Sequence, residues 1–191
     1  MNYKLKLTSI ALLALVISIS GCGLNNAKTP ADKRQYILDM KSETLRELYR
    51  VKPHARGVIR KAAGYAVFSS ANVNVVLASF GGGYGVATDN RNGRNTYMRM
   101  GEVGLGLGLG VKDFRVIFVF HTRRTMNQFV NKGWNFGAHA DAAAKASDKG
   151  GSYSGEALIG SMTIYHLTKS GLALQATLKG TKFWKDNSLN N

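Results

Sequence analysis

The chain has 191 residues, 45% of them hydrophobic, and 26 Lys and Arg against 11 Asp and Glu, which makes the formal net charge +15 at pH 7. This length fits one domain and is sufficient to bury a substantial core. The single cysteine, Cys22, excludes a scaffold of intrachain disulfides. The excess of cations favours anionic polymers or surfaces as partners.

The start of the chain resembles a bacterial lipoprotein signal. Lys4 and Lys6 precede a largely apolar run over 7–19, and Ile19-Ser20-Gly21-Cys22 then resembles a cleavage and lipidation box. A basic start, an apolar stretch and small residues at the cut are typical of a secretory signal. The apolar run is shorter than the roughly 20 residues of a membrane-spanning helix. We therefore expect Cys22 to become the acylated first residue of the mature protein.

These boundaries predict a signal peptide over 1–21, an acylated tether over 22–28 and a single domain over 29–191. Gly23 follows the cysteine where an Asp would direct retention in the inner membrane. We therefore expect an outer-membrane protein that faces the periplasm. Export also argues against nucleic acid as the anionic partner, and it leaves phospholipid headgroups or another acidic polymer of the envelope.

Two amphipathic helices are predicted next. Thr29, Pro30 and Asp32 form a helix start, since threonine caps, proline suits the first turn and an acid complements the helix dipole. Apolar residues then recur at helical spacing to about Tyr49. Pro53 separates this helix from a second one, for which Gly64 is the expected C-cap. The second helix has an apolar stripe of Ala55, Val58, Ile59 and Ala62.

The densest cationic cluster of the sequence falls on these helices. It consists of Arg46, Arg50, Lys52, Arg56, Arg60 and Lys61. A cation near an anionic membrane surface contributes about 1 kcal/mol to binding. The cluster therefore indicates a site for anionic headgroups, with a solvated basic surface as the alternative.

The pattern changes from helix to strand after Gly64. Candidate strands lie at 65–68, 73–80, 96–100, 103–111, 114–120, 162–167 and 172–178. Asn92-Gly93 predicts a two-residue hairpin turn. A short helix is expected between Thr122 and Gly133. The predicted fold is α+β, with N-terminal amphipathic helices packed on a mostly antiparallel, glycine-rich, curved sheet or barrel-like body.

Two glycine-rich segments, 81–85 and 104–110, do not match nucleotide-binding motifs. Neither contains the lysine of a phosphate-binding loop, and the dinucleotide pattern fails at Val86 and Leu109. Glycine inside a strand marks a bend or a close approach of other atoms. In the 104–110 segment, where glycines alternate with leucines, we expect a curved sheet to pack tightly on the N-terminal helices, with a glycine-floored lipid groove as the alternative.

The sequence contains no catalytic or metal-binding pattern. Its four histidines, His54, His121, His139 and His166, are scattered, and no His-Glu-x-x-His motif occurs. Tyr153 stands where a nucleophile elbow requires serine. We therefore expect a protein that is not an enzyme and that uses no metal or cofactor.

The segments named above, taken in order, resemble the SYLF domain family over roughly 44–186. The resemblance is carried by Lys61-Ala62-Ala63-Gly64-Tyr65-Ala66-Val67-Phe68, Gly81-Gly82-Gly83-Tyr84-Gly85-Val86, the 104–110 run, Val116-Ile117-Phe118-Val119, Ile164-Tyr165 and Ser170-Gly171-Leu172. It implies an α+β fold and binding of membrane lipids, which are phosphoinositides for eukaryotic members. The chain departs from the family pattern at 69–72 and 147–155.

These observations predict a lipid-anchored envelope protein whose SYLF-like domain binds anionic phospholipid headgroups through the helical cationic cluster. The alternative is a structural lipoprotein that docks an envelope protein or a glycan and has no lipid ligand.

Overall fold

In the computed structural model, the described residues are 29–75, 78–104, 110–136, 156–168, 171–172 and 181–191. The predicted signal, Cys22 and the tether lie outside them, as do 105–109, His139 and 147–155. The helices are α1 (Pro30–Val51), α2 (Ala55–Lys61), α3 (Arg123–Lys132) and a 3-10 turn at Asn187–Leu189. The strands are β1 (Gly64–Val75), β2 (Ala78–Asp89), β3 (Asn95–Gly104), β4 (Gly110–Phe120), β5 (Trp134–Phe136), β6 (Glu156–Ile159), β7 (Met162–Thr168), β8 (Gly171–Leu172) and β9 (Thr181–Lys185).

The strands form one curled antiparallel sheet with the shape of a half-barrel, in the order β5-β9-β3-β2-β1-β4-β7-β6, and β8 pairs with β7. The long strand β1 lies in the middle, where Phe68 is opposite Gly85 of β2 and Val116 of β4. Helices cover both faces of this sheet. The predicted α+β fold with a curved antiparallel sheet is confirmed.

Alternate residues of the central strands enter two different cores, as the two-residue period of a strand requires. One face packs against α3 and is rich in aromatic rings, with Phe68 and Phe183 4.8 Å apart between centroids and Phe118 and Phe129 5.2 Å apart. The opposite face packs against α1 and α2 through Ile37, Leu48, Ile59, Val67, Ile117 and Tyr165, among others. A sheet buried on both faces explains the nearly continuous apolar run of β4.

The predicted start of α1 is confirmed in detail. Thr29 and Asp32 form a capping box in which each side chain accepts a hydrogen bond from the other residue's backbone N–H, at 3.1 and 3.0 Å. The predicted C-cap of α2 is wrong. Ala62 occupies that position and Gly64 opens β1, where an added Cβ would lie 2.5 Å from Met126 Sδ and 2.6 Å from the Thr88 carbonyl oxygen.

The hairpin at Asn92-Gly93 is confirmed, with Gly93 at a φ of 71°, although its loop covers 90–94 instead of two residues. The predicted helix after Thr122 is confirmed as α3, with Thr122 as N-cap and Gly133 as C-cap. The strand predicted over 73–80 is wrong. Val75 ends β1, Ala78 begins β2, and these two residues pair with each other in antiparallel register.

Two glycines of β2, Gly83 and Gly85, face the core beneath α3. A Cβ at Gly85 would collide with the Phe68 ring and the Val67 carbonyl oxygen, and one at Gly83 would lie 2.8 Å from Met100 Cγ. Phe68 and Met100 belong to the core beneath α3. Packing on the N-terminal helices was expected for the 104–110 segment, of which residues 105–109 lie outside the described part of the chain.

Candidate functional site

Five of the six predicted cationic site residues are exposed. Arg46 and Arg50 lie in the C-terminal part of α1, and Arg56, Arg60 and Lys61 lie on α2. They follow the outer side of the two helices that cover the sheet. Cations near helix C-termini also stabilise the helix dipole, so part of this pattern has a purely structural use.

Lys52 lies apart from the other five because it is buried, with 8% of its surface exposed. Its Nζ lies 5.8 Å from the centre of the Tyr165 ring, and its backbone N–H donates to the Leu48 carbonyl at 2.7 Å. Its carbonyl accepts from the Ala55 N–H at 3.0 Å. Lys52 therefore joins α1, α2 and β7.

Two of the exposed arginines have partners on the helices. Arg50 makes two hydrogen bonds to the Glu47 carboxylate, at 2.7 and 3.1 Å, and these bonds lower the pKa of Glu47. The Arg56 guanidinium carbon lies 4.7 Å from the centre of the Tyr49 ring, a cation–π geometry. No carboxylate of the described residues pairs with Arg46, Arg60 or Lys61. The unneutralised charge is therefore greatest toward the C-terminal end of α2.

The β2–β3 turn packs against the C-terminal end of α2 and adds further cations there. The Asn90 side-chain amide donates to the carbonyl oxygens of Ile59 and Ala62 at 2.6 and 3.0 Å. The first turn of α3 meets the same end of the sheet, because Arg123 donates to both carboxylate oxygens of Asp89 at 3.1 and 2.8 Å. We call the resulting surface the basic end, and it consists of Arg60, Lys61, Arg91, Arg94, Arg123 and Arg124.

Among the described residues, Asp89 is the acid that forms an ion pair with a member of the basic end, Arg123. The hydrogen bonds from Arg123 and the backbone N–H of Arg91 lower the pKa of Asp89 to about 2. Its carboxylate is therefore ionised at neutral pH and neutralises one guanidinium. The remaining cations give the surface a positive surplus, which favours phosphate or carboxylate groups over neutral ligands.

Sequence reasoning found two of the six members of the basic end. It missed Arg91, Arg94, Arg123 and Arg124, which come from a turn and a helix 30 to 64 residues after Arg60 and Lys61. A signal was present, because the arginines of 90–94 flank a hairpin turn and Arg123-Arg124 directly follow a helix cap. Only the pairing of β1 with both β2 and β4 shows that these segments share one end of the sheet.

The described residues contain no group of three or more His, Cys, Asp or Glu that would hold a metal ion. Of the histidines, His121 shares a 2.7 Å hydrogen bond between its Nε2 and Thr163 Oγ1, while His166 is buried on β7. Among the helices described, none combines the length and the apolar character needed to cross a bilayer.

Comparison with known proteins gives two matches. The Ysc84 family model, described as Las17-binding protein actin regulator, matches residues 101–191. Beta cell expansion factor A of Aeromonas veronii is 33% identical over 167 residues, which is 86% of this chain and 61% of that protein. The chain thus spans less than two thirds of that relative's length. The family match includes Arg123 and Arg124 but begins after α1 and α2. The resemblance to the SYLF family is confirmed over residues 101–191, which match the Ysc84 (SYLF) family model.

Proposed function

We propose that this domain binds the headgroups of anionic phospholipids at a membrane surface. Its exposed contacts would be Arg46, Arg50, Arg56, Arg60 and Lys61, and the buried Lys52 would hold the two helices in place. The observation that carries the proposal is that Arg60 and Lys61 belong both to these helical cations and to the basic end, where, among the described residues, Asp89 is the acid that pairs with a member. The match of residues 101–191 to the Ysc84 (SYLF) family model suggests a lipid-binding or actin-related interaction, which is consistent with this proposal.

We further propose that acylation of Cys22 anchors the protein to the outer membrane, facing the periplasm. Each buried acyl methylene contributes about 0.8 kcal/mol, and each cation near an anionic surface contributes about 1 kcal/mol. Because an acyl chain buries many methylenes, the anchor would outweigh the few cations and would decide that the protein stays on the membrane. The cations would decide how the domain lies there and which headgroups it contacts.

The test is co-sedimentation of residues 23–191, which lack the acylation site, with neutral and anionic vesicles. We expect binding to anionic vesicles alone and its loss in the double variant Arg56→Glu, Arg60→Glu. The matched control is Lys132→Glu, Lys182→Glu, which makes the same change in net charge at exposed positions away from α2. Equal binding to both vesicle types, or equal loss in both double variants, would refute the proposal.

A second candidate is docking of an envelope protein or glycan on the same basic surface. It is supported by the name of the family, since Las17-binding denotes a protein partner for its members. Pull-down from detergent-solubilised envelopes distinguishes the two, because a protein partner survives removal of lipid. The SYLF family is not a known enzyme family, and we propose no reaction.

A further inference from the structure

We propose that a cleft between the β2–β3 hairpin, α3 and β9 is a binding site for a single phosphate group. The cleft has a volume of about 160 Å³, lies on the side of the sheet covered by α3 and shares Arg94 with the basic end. Its residues are different from the helical cations of α1 and α2. The inference therefore does not rest on headgroup binding by those helical cations.

Side chains from three elements line the cleft. Arg94 comes from the β2–β3 loop, and Lys185 comes from β9. Lys185 pairs with Met98 and shares the face of Phe183, so that it points to the side of α3. Asn127 and Asn131 are one turn apart on α3 and therefore face the cleft together.

The donors of this cleft match the acceptors of a phosphate group. An arginine fork bonds two phosphate oxygens at once, and a lysine acts as a mobile point charge. The amide N–H groups of the two asparagines supply further donors from a third direction. A carboxylate has only two oxygens, whereas a tetrahedral phosphate offers oxygens toward every wall.

Asp89 also lines the cleft, and an unpaired carboxylate would repel an anion. Its two oxygens are held by Arg123, so the pair as a whole is neutral. Arg94 and Lys185 remain as a surplus of two positive charges. Apolar atoms of Met126 and Val130 complete the lining.

The size of the cleft limits the ligand. Sites for drug-sized molecules occupy roughly 300–1,000 Å³, about two to six times the volume available here. The cleft therefore fits a phosphate group with at most a small polyol attached. The group could be carried by a soluble phosphomonoester or by a phospholipid headgroup, and the experiment separates these sources.

The test is isothermal titration calorimetry of the full chain in nonionic detergent, with inorganic phosphate and glycerol 3-phosphate as probes. We expect saturable binding that Lys185→Gln weakens by about tenfold or more, as for loss of one charge-assisted hydrogen bond. The matched control is Lys182→Gln on the opposite face of the same strand, which removes the same charge and should leave binding intact. Absence of saturable binding, or equal weakening in both variants, would overturn the inference.

A second variant tests the same site in case Lys185→Gln does not fold. Asn131→Asp places a carboxylate at an exposed position of α3 that lines the cleft, and it should abolish phosphate binding without altering the circular dichroism spectrum. Retained binding in a folded Asn131→Asp protein would contradict the inference.

Vesicle-binding measurements on the same variants identify the source of the phosphate group. If Lys185→Gln also lowers binding of residues 23–191 to phosphatidylglycerol vesicles, the ligand is a lipid headgroup; if it affects only glycerol 3-phosphate, the ligand is soluble. The double variant Arg56→Glu, Arg60→Glu should no longer bind vesicles but should still bind inorganic phosphate. Failure of the helical proposal is thereby distinguished from failure of this one.

Discussion

At the scale of the residue, the glycines of β2 show that identical side chains have different structural roles. The carbonyl oxygen of Val67 and the Phe68 ring lie where a Cβ of Gly85 would be, whereas no atom of the described residues lies within 4 Å of a Cβ at Gly82. Gly85 is thus required by a close approach beneath the aromatic core. The composition of the segment alone does not distinguish the two positions.

We expect Gly85→Ala to lower the free energy of unfolding by about 1–3 kcal/mol, since an added methyl group overpacks the core. Gly82→Ala is the matched control and should be neutral or slightly stabilising, because alanine restricts the unfolded chain. Urea denaturation of the two variants measures the difference. Equal stability of the two variants would contradict the packing argument.

A second effect at residue scale concerns pH. Burial lowers the pKa of His166 to about 4, against about 6.5 for an unperturbed histidine. The unfolded chain therefore takes up this proton first, and stability falls as the pH drops from about 6.5 to 4. The loss approaches about 3 kcal/mol at the lower limit.

We expect His166→Met to flatten the pH dependence of unfolding between pH 6.5 and 4, as measured by denaturant titrations. His54→Gln, at an exposed histidine, should retain the slope of the parent protein. Asp89 acts in a separate range, because its lowered pKa contributes stability that is lost as the pH falls from about 4 to 2. A slope that is unchanged in His166→Met would assign the effect to other groups.

At the scale of the element, the start of α1 combines a local signal with a tertiary contact. The capping box is readable from Thr29 and Asp32, and Arg34 adds a 3.3 Å hydrogen bond to the carbonyl of Leu189 near the end of the chain. Further along, Arg115 of β4 pairs with Glu43 at 3.0 Å. Fraying of α1 therefore also disturbs its packing on the sheet.

We expect Thr29→Ala to cost about 1 kcal/mol of stability, the usual effect of removing an N-cap side chain. Ser42→Ala is the control inside the same helix. Among the described residues, the Ser42 hydroxyl donates to the Leu38 carbonyl one turn earlier, so its removal should be close to neutral. Thermal unfolding measures both, and an equal loss in the two variants would contradict the capping argument.

At the scale of the whole molecule, the positive surface depends on packing between distant segments. Asn90 holds the β2–β3 turn against α2 through two hydrogen bonds, and this contact places Arg91 and Arg94 beside Arg60 and Lys61. Three separate parts of the chain thereby contribute to one charged surface. Its field depends on the fold as well as on the net charge.

We expect Asn90→Ala to weaken binding to anionic vesicles although it changes no charge, because the turn loses its attachment to α2. Gln128→Ala, an exposed neutral change on α3, should have no effect. Co-sedimentation of residues 23–191 with anionic vesicles measures both. Unchanged binding of a folded Asn90→Ala protein would show that the helical cations act without the turn.

The sequence by itself determined the features that depend on neighbours along the chain. The capping residues of α1 and α3, the break at Pro53, the hairpin at Asn92-Gly93 and the antiparallel α+β class are all readable locally, as is the SYLF resemblance. The end of β1 at Val75 was missed because the sequence continues with apolar residues from Val75 through Leu77 to Ala78.

Only the tertiary structure decided which face each glycine serves, that Lys52 is buried, and that four arginines distant in sequence join Arg60 and Lys61. The physical reason is that burial and electrostatic potential depend on distances across the sheet. Those distances are set by strand pairing between segments up to about 60 residues apart, which no local pattern specifies.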